Sequence, residues 1–169
     1  MHCVRSRRTR AKEFPTHQLE GAGHPGPLAI LEPVGEIVGI WRSPKRRQAM
    51  ERLESARVDE NGLEGCAHRR PGKRSVLFVA AEDLDGLGVE HGAVKENFTV
   101  AGADVMSWPL GQRVAVGSAE FEISMVCDPC ELMENIRPGL QAELEGKRGM
   151  LARVLKTGEV SLGDPVTLL

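Results

Sequence analysis

Short apolar runs separated by glycine turns recur from residue 34 to the end of the chain, and this pattern limits the fold more than any other feature. The runs are rich in Val, Ile, Leu and Phe, which favour β-strands. The predicted strands are residues 34–41, 55–58, 74–80, 97–100, 113–116, 119–126, 150–155 and 166–169. Gly117 and Ser118 form a two-residue link typical of a hairpin. Seven to eight strands of this kind predict a mainly β fold, a closed or nearly closed β-barrel.

The segments between the strands indicate short helices and a domain boundary. Residues 48–54 are compatible with a loop or an edge strand. Short helical insertions are expected after Ala80 and after Pro129. The barrel domain is expected to cover residues 33–169. Residues 1–32 are first basic and then rich in Gly and Pro, which indicates a disordered tail or an early start codon, with a targeting extension as the alternative.

The composition argues against several classes of function. The chain has 169 residues, 41% of them hydrophobic, which supports one domain with a core. The net charge of −2 and an aromatic content of 4% do not favour a nucleic-acid partner. No apolar run approaches the roughly 18 residues of a membrane span, and no apolar stretch typical of a secretory signal follows the N-terminal arginines. Four cysteines are too few for a disulfide scaffold, so we expect a reducing, cytoplasmic location with free thiols.

Two of these thiols lie where a predicted strand meets a predicted helix. Cys127 and Cys130 form a C-x-x-C pattern, which serves as a redox couple, as half of a metal site or as one nucleophile with a bystander. Pro129 favours a helix start, which would place Cys130 in the first turn, where unpaired N–H groups favour a thiolate. Cys127 ends the strand and is expected to pack as a small apolar residue. Two purely structural cysteines are the competing interpretation.

A zinc site is an alternative use of the same cysteines. Cys66 and His68 lie on a glycine-flanked loop and could complete a set of three sulfurs and one nitrogen with Cys127 and Cys130. The separation of nearly sixty residues between the two pairs differs from compact zinc-finger spacing. His68 could equally be a surface or turn-stabilising histidine.

Several polar residues are candidates for the wall of a ligand pocket. Glu96 and Asn97 precede a strand, where they either contact solvent or bond to a polar ligand. Arg74 and Arg148 are candidates for anion contacts, because a guanidinium binds phosphate in a bidentate manner. None of these residues is specific alone.

Taken in order, these segments resemble a MOSC domain, a module related to the C-terminal part of molybdenum-cofactor sulfurases. The resemblance extends from about residue 34 to residue 168. The segment from Gly62 to His68 resembles the family's glycine–aspartate–x–histidine loop, and Lys95 to Phe98 resembles its Arg-Glu-Asn-aliphatic strand start. Pro129 and Cys130 resemble the Pro-Cys pair that carries the family's cysteine. The other matching segments are residues 34–40, 109–117, 148–155 and 163–166.

The resemblance implies a β-barrel that binds a molybdenum cofactor or carries sulfur for it as a persulfide through Cys130. In relatives the same cysteine is a molybdenum ligand, and the family is also associated with pyridoxal phosphate binding. Lys95, Arg74 and Arg148 are then candidates for the cofactor phosphate, and His68, Glu96 and Asn97 for polar pocket walls. Two departures affect the expected site: Cys66 replaces the usual aspartate, and Lys95 replaces the usual arginine and loses bidentate geometry.

Three functions remain open from the sequence. The first is cofactor binding or sulfur carriage through Cys130, with a cysteine desulfurase as a possible partner. The second is a molybdenum-dependent reductase of N-hydroxylated compounds, which would need a partner reductase because the chain has no recognisable flavin, haem or iron–sulfur motif. The third is a non-catalytic, zinc-stabilised binding module. The chain is therefore either a sulfur transferase, an oxidoreductase or a binding protein.

Overall fold

The central strand of the fold is buried on both faces, because its residues alternate between two apolar clusters. This strand, Val76–Ala80, lies in a computed structural model that describes residues 31–169. In chain order the strands are β1 Gly35–Arg42, β2 Glu51–Leu53, β3 Ser55–Asp59, β4 Gly62–Leu63, β5 Val76–Ala80, β6 Phe98–Ala101, β7 Arg113–Val116, β8 Ala119–Val126, β9 Met150–Lys156, β10 Gly158–Ser161 and β11 Pro165–Leu168. The helices are α1 Ala81–Gly86 and α2 Leu140–Glu143, with 3₁₀ helices at Val105–Ser107 and Glu131–Asn135.

Seven strands close into a barrel in the order β11-β7-β8-β9-β5-β6-β1, and β1 pairs again with β11. All these pairs are antiparallel except β5 and β6, where Phe78 lies opposite Phe98. β2 extends the sheet beside β1, and β10, β3 and β4 form a separate three-stranded sheet. The predicted mainly β barrel is confirmed, and closure removes the exposed strand edges that an open sheet would leave.

The barrel interior is filled by aromatic and aliphatic side chains. Phe78 packs against Phe98 and Phe121 with ring centroids 5.0 and 5.3 Å apart, and against Trp108 at 5.9 Å. These side chains are buried in the larger of two hydrophobic clusters. Such tilted and edge-on aromatic contacts stabilise a core beyond the area that they bury.

A second apolar cluster covers the outer face of β5. Leu77 and Val79 point to this face and pack with residues from the two insertions, 81–96 and 131–147. The insertions contribute Leu84, Val89, Val94, Met133, Leu140 and Leu144. Both helical insertions lie where the sequence predicted them, and they cover the same side of the barrel.

The structure differs from the expected strand pattern in small elements. β4 and β10, of two and four residues, were not predicted, and residues 51–53 are a strand beside β1. The proposed tail of residues 1–32 falls almost entirely outside the described residues. Within residues 31–169, no helix has the length and apolar character needed to cross a membrane.

Candidate functional site

The Cys127–Cys130 segment continues β8 and then leads into the second insertion. The Cys127 N–H donates to the Gly149 carbonyl at 3.0 Å, which extends the pairing of β8 with β9 by one residue. Cys130 has an extended backbone (φ −120°, ψ 168°) and precedes the 3₁₀ helix, so the expectation that it lies in the first helical turn is wrong. Its carbonyl accepts the Met133 N–H at 2.9 Å. Cys130 is exposed, and the segment presents this thiol to solvent.

Cys127 has the packing role that the sequence indicated. It is half-buried and packs against the outer cluster. Burial raises the pKa of the Cys127 thiol, and the nearby Arg148 and Arg74 guanidinium groups oppose this shift. Both arginines act on Cys127, and the raised pKa keeps this thiol protonated at neutral pH.

Arg148 is the most unusual charge near the thiols. Only 5% of the residue is exposed, and its Nη2 donates to the Val94 carbonyl. Its Nε and Nη1 atoms are buried and have no hydrogen-bond partner among residues 31–169. A buried cation with open donors is costly unless an anion or an acceptor reaches it. The buried Glu96 carboxylate attracts Arg148, and an added anionic group would reach the two free nitrogens only after the side chains that cover them move.

Glu96 and Asn97 bond mainly to the protein itself. Asn97 accepts the Leu77 N–H at 3.1 Å through Oδ1 and donates to the Trp41 carbonyl at 3.3 Å through Nδ2. Glu96 is fully buried, and its Oε1 accepts the Gly92 N–H and the Thr99 hydroxyl. Burial raises the pKa of Glu96 despite these bonds and the attraction of Arg148. Glu96 Oε2 has no partner among the described residues.

His68 and Lys95 lie in a separate group of cations. Lys95 Nζ donates to the Gln48 carbonyl at 2.9 Å. Partial burial lowers the pKa of His68, and Lys95, Arg46 and Arg70 lower it further. Sequence reasoning missed Arg46 and Arg70, which come from two loops that only the fold brings together.

The four residues of the zinc alternative are not assembled into a site. Cys66 is buried, and the Asn97 side chain lies 3.8 Å from its sulfur. His68 lies among cations, and Cys130 is exposed on the other segment. Across residues 31–169, no three His, Cys, Asp or Glu side chains come together in an arrangement that could hold a metal ion. The structure thus offers single thiols rather than a preformed zinc cage.

A surface cavity adjoins the thiol segment. It has a volume of about 400 Å³ and is lined on one side by Cys127, Asp128 and Pro129. The other side includes Glu134 and Gln141. The Glu134 carboxylate accepts the N–H groups of Gly139 at 2.8 Å and Gln141 at 2.9 Å, and these bonds lower its pKa. The cavity wall is therefore fixed and carries negative charge.

The chain is thus a small closed β-barrel domain. Both insertions lie on one side of the barrel, and the segment after β8 carries an exposed thiol, Cys130. The chain belongs to the MOSC domain family, whose model matches residues 71–167. The predicted resemblance is therefore confirmed. Comparison with curated protein sequences gives no match.

Solved structures share this fold. The YuaD protein from Bacillus subtilis superposes with a TM-score of 0.69 at 19% identity, over 79% of this chain and 94% of that chain. YiiM from Escherichia coli gives 0.64 at 20% identity, over 81% and 70% of the two chains. YiiM from Geobacillus stearothermophilus gives 0.59 at 21% identity, over 82% and 75%. At such identities the likeness shows the fold and not the activity.

Proposed function

We propose that this MOSC protein binds a molybdenum cofactor through the Cys130 thiolate. The observation that carries the proposal is a segment with an exposed thiol, Cys130, whose other cysteine, Cys127, lies near the buried and incompletely bonded Arg148. A thiolate is a soft ligand suited to a transition metal. A guanidinium with open donors is suited to a phosphate oxygen. The residues present therefore fit a ligand that has both a metal and a phosphate group.

Each residue has a distinct task in this proposal. Cys130 supplies the metal ligand, and Arg148 and Arg74 receive the phosphate. Lys95 is a less suitable phosphate ligand because an ammonium lacks the bidentate geometry of a guanidinium, and one of its three donors bonds to the Gln48 carbonyl. Cys127 stays a thiol and fills the edge of the outer cluster. When bound, the cofactor supplies a metal that exchanges oxygen atoms and electron pairs with small substrates.

The test is metal analysis of protein purified from a host that makes the cofactor. We expect about one molybdenum per chain in the parent and none in Cys130→Ala. Cys127→Ala is the matched control because it removes a neighbouring thiol without removing the proposed ligand, and it should retain the metal. Molybdenum that persists in Cys130→Ala, or that is absent from the parent, would refute the proposal.

Sulfur carriage is the second candidate, and the exposure of Cys130 favours it because a partner's persulfide can reach the thiol. In that step the Cys130 thiolate attacks the outer sulfur of the donor persulfide. A new S–S bond forms on Cys130, and the donor leaves as a thiolate, as in thiol–disulfide exchange. Sulfane sulfur on Cys130 after treatment with a cysteine desulfurase and cysteine would support this role. Equal sulfane sulfur in Cys130→Ala would exclude it.

A further inference from the structure

A second cavity opens on the outer face of the barrel. It lies between the β1–β2 pair and the first insertion, and its volume is about 450 Å³. Among residues 31–169, this cavity shares no lining residue with the cavity beside Cys127. Sites for small molecules commonly have volumes of roughly 300–1,000 Å³. The protein therefore has a second space of ligand size that the proposed function does not use.

The apolar wall of this cavity comes from β1 and from the first insertion. Val38 and Trp41 face outward from β1, because the adjacent Ile37 and Ile40 fill the barrel interior. Val89 adds an apolar side chain from the insertion. An indole ring and two valines together form a surface on which an apolar or aromatic group of a ligand can pack.

Hydrogen bonds and packing hold the Trp41 indole in place. Its Nε1–H donates to the Thr99 hydroxyl at 2.9 Å, and this hydroxyl donates to the buried Glu96 carboxylate at 3.2 Å. The same carboxylate accepts the Gly92 N–H. A side chain at Gly92 would overlap the six-membered ring of the indole, so the backbone of the insertion packs directly on this ring. The aromatic wall is therefore formed before a ligand binds, which lowers the cost of binding.

Arg52 and Glu90 carry opposite charges at the rim of the cavity and do not pair with each other. Arg52 lies opposite Trp41 in the β1–β2 register, so both side chains are on the same face of the sheet. One of its N–H groups donates to the Val38 carbonyl at 3.3 Å. Neither Arg52 nor Glu90 forms an ion pair with a side chain of residues 31–169. Each can therefore bind a ligand group of opposite charge.

Asp85 and His91 form the remaining polar part of the wall. The His91 Nε2 atom lies 2.9 Å from Asp85 Oδ1, so this carboxylate already has a partner. In the part of the chain that the structure describes, no three His, Cys, Asp or Glu side chains are grouped so that they could hold a metal ion. The acidic side chains of the cavity therefore do not form a metal site, and Glu90 is the carboxylate that remains for a cationic group of a ligand.

We propose that this cavity binds a zwitterionic amino acid with an apolar or aromatic side chain. The ligand carboxylate pairs with Arg52, its ammonium group pairs with Glu90, and its side chain packs on the Trp41 indole. A simple organic anion would be repelled by Glu90 and a simple organic cation by Arg52, so a molecule with both charges fits the rim better than either. The inference does not rest on the proposed function, because the cavity is lined by residues other than those assigned to the cofactor.

The test is an NMR titration of the full chain with L-phenylalanine and two analogues. 3-Phenylpropionate lacks the ammonium group, and phenethylamine lacks the carboxylate. The chain has two tryptophans, so the Trp41 indole N–H signal reports on the cavity and the Trp108 signal on the core, and Trp41→Phe assigns them. We expect L-phenylalanine to shift the Trp41 signal and to bind at least about tenfold more tightly than either analogue, because each analogue lacks one charged contact.

Variants that remove one charge show which ligand group each residue binds. Arg52→Gln should weaken L-phenylalanine binding about tenfold without weakening phenethylamine binding, and Glu90→Gln should weaken it about tenfold without weakening 3-phenylpropionate binding. The matched control is Arg57→Gln with Glu159→Gln, a cross-strand pair on the separate three-stranded sheet, and it should change binding by less than about twofold.

Three results would overturn the inference. They are no shift of the Trp41 signal at up to about 10 mM L-phenylalanine, binding of either analogue as tight as that of L-phenylalanine, and an effect of the control variant equal to that of Arg52→Gln. The comparison of ligands uses the parent chain alone, so it decides the matter even if a variant fails to fold. An unchanged Trp108 signal shows that the core of each variant is intact.

Discussion

Replacing Arg148 by methionine tests whether its buried charge serves a ligand or the fold. Arg148 bonds to one protein group, the Val94 carbonyl, and two of its nitrogen atoms have no partner among residues 31–169. Methionine has a similar reach and is apolar, so it can occupy the same space at the edge of the outer cluster. Replacing a buried charge by a well-packed apolar residue is often neutral or stabilising.

The expected magnitude follows from the hydrogen-bond inventory of Arg148. Each buried polar group left without a partner costs about 1–3 kcal/mol, and the substitution removes two such groups. It also leaves the Val94 carbonyl without its donor, and this unpaired carbonyl lowers the stability by about 1–3 kcal/mol. We therefore expect Arg148→Met to raise the free energy of unfolding of ligand-free protein by about 1–3 kcal/mol at a pH where Glu96 is protonated, because Arg148 also attracts the ionised Glu96 carboxylate. Protein loaded with an anionic ligand should show the opposite order, because only the parent gains binding energy from the guanidinium.

Urea unfolding followed by tryptophan fluorescence, with and without bound cofactor, measures both changes. Arg153→Met is the control, because Arg153 is exposed and pairs with Glu122 at 2.9 Å. Its effect should stay within about 0.5 kcal/mol. If Arg148→Met lowers the stability of the ligand-free protein by more than about 2 kcal/mol, Arg148 is a structural anchor and the reasoning about an open anion site fails.

Three further outcomes follow from the titrating groups. Iodoacetamide should alkylate exposed Cys130 several-fold faster than Cys127, whose pKa is raised by burial, and peptide mapping would show the order. Burial and neighbouring cations lower the pKa of His68, and NMR titration should show this pKa rising when salt increases from about 0.01 to about 1 M. The reason is that the Debye length falls from about 30 to about 3 Å, which screens the cations. The part of the pKa shift that is due to burial should remain. Because burial raises the pKa of Glu96, the folded state keeps a proton that the unfolded state has lost, and stability falls as pH rises above the usual Glu range. Glu96→Gln should flatten this slope in urea titrations, and an unchanged slope would contradict the assignment.

The sequence predicted the elements in which apolar residues recur over a long stretch, on one face or on both faces of the element. β5 is apolar at every position because both of its faces are buried, and the β7–β8 hairpin is marked by its two-residue turn. β4 and β10 lack such a pattern because they are short and belong to a small separate sheet. The conformation of Cys130 was mispredicted because Pro129 fixes only its own φ, and Cys130 stays extended before the 3₁₀ helix begins.

The site depended more on tertiary contacts than on local pattern. Lys147 and Arg148 are adjacent cations in the sequence, yet Lys147 is exposed and Arg148 is buried. Only the packing of both insertions against β5 determines which of the two lies inside. Lys95, Arg46 and Arg70 likewise lie far apart in the sequence, yet all three lower the pKa of His68. The sequence therefore indicated the thiol and the candidate cations Arg74, Lys95 and Arg148, but not that Arg148 is buried.

The backbone joins the thiol segment to the buried arginine. Gly149, the residue after Arg148, accepts the Cys127 N–H and has a left-handed φ of 100°. A side chain at this position would overlap the Phe78 carbonyl, so the close approach of β9 to β5 requires glycine. This turn places Arg148 beside Val94 of the first insertion, and Gly149 is hydrogen-bonded to Cys127, the residue after β8. An anion bound at Arg148 would thus lie one residue along the chain from Gly149, which is hydrogen-bonded to Cys127. The backbone thus connects Arg148 to the segment that carries Cys130, as the proposed function requires.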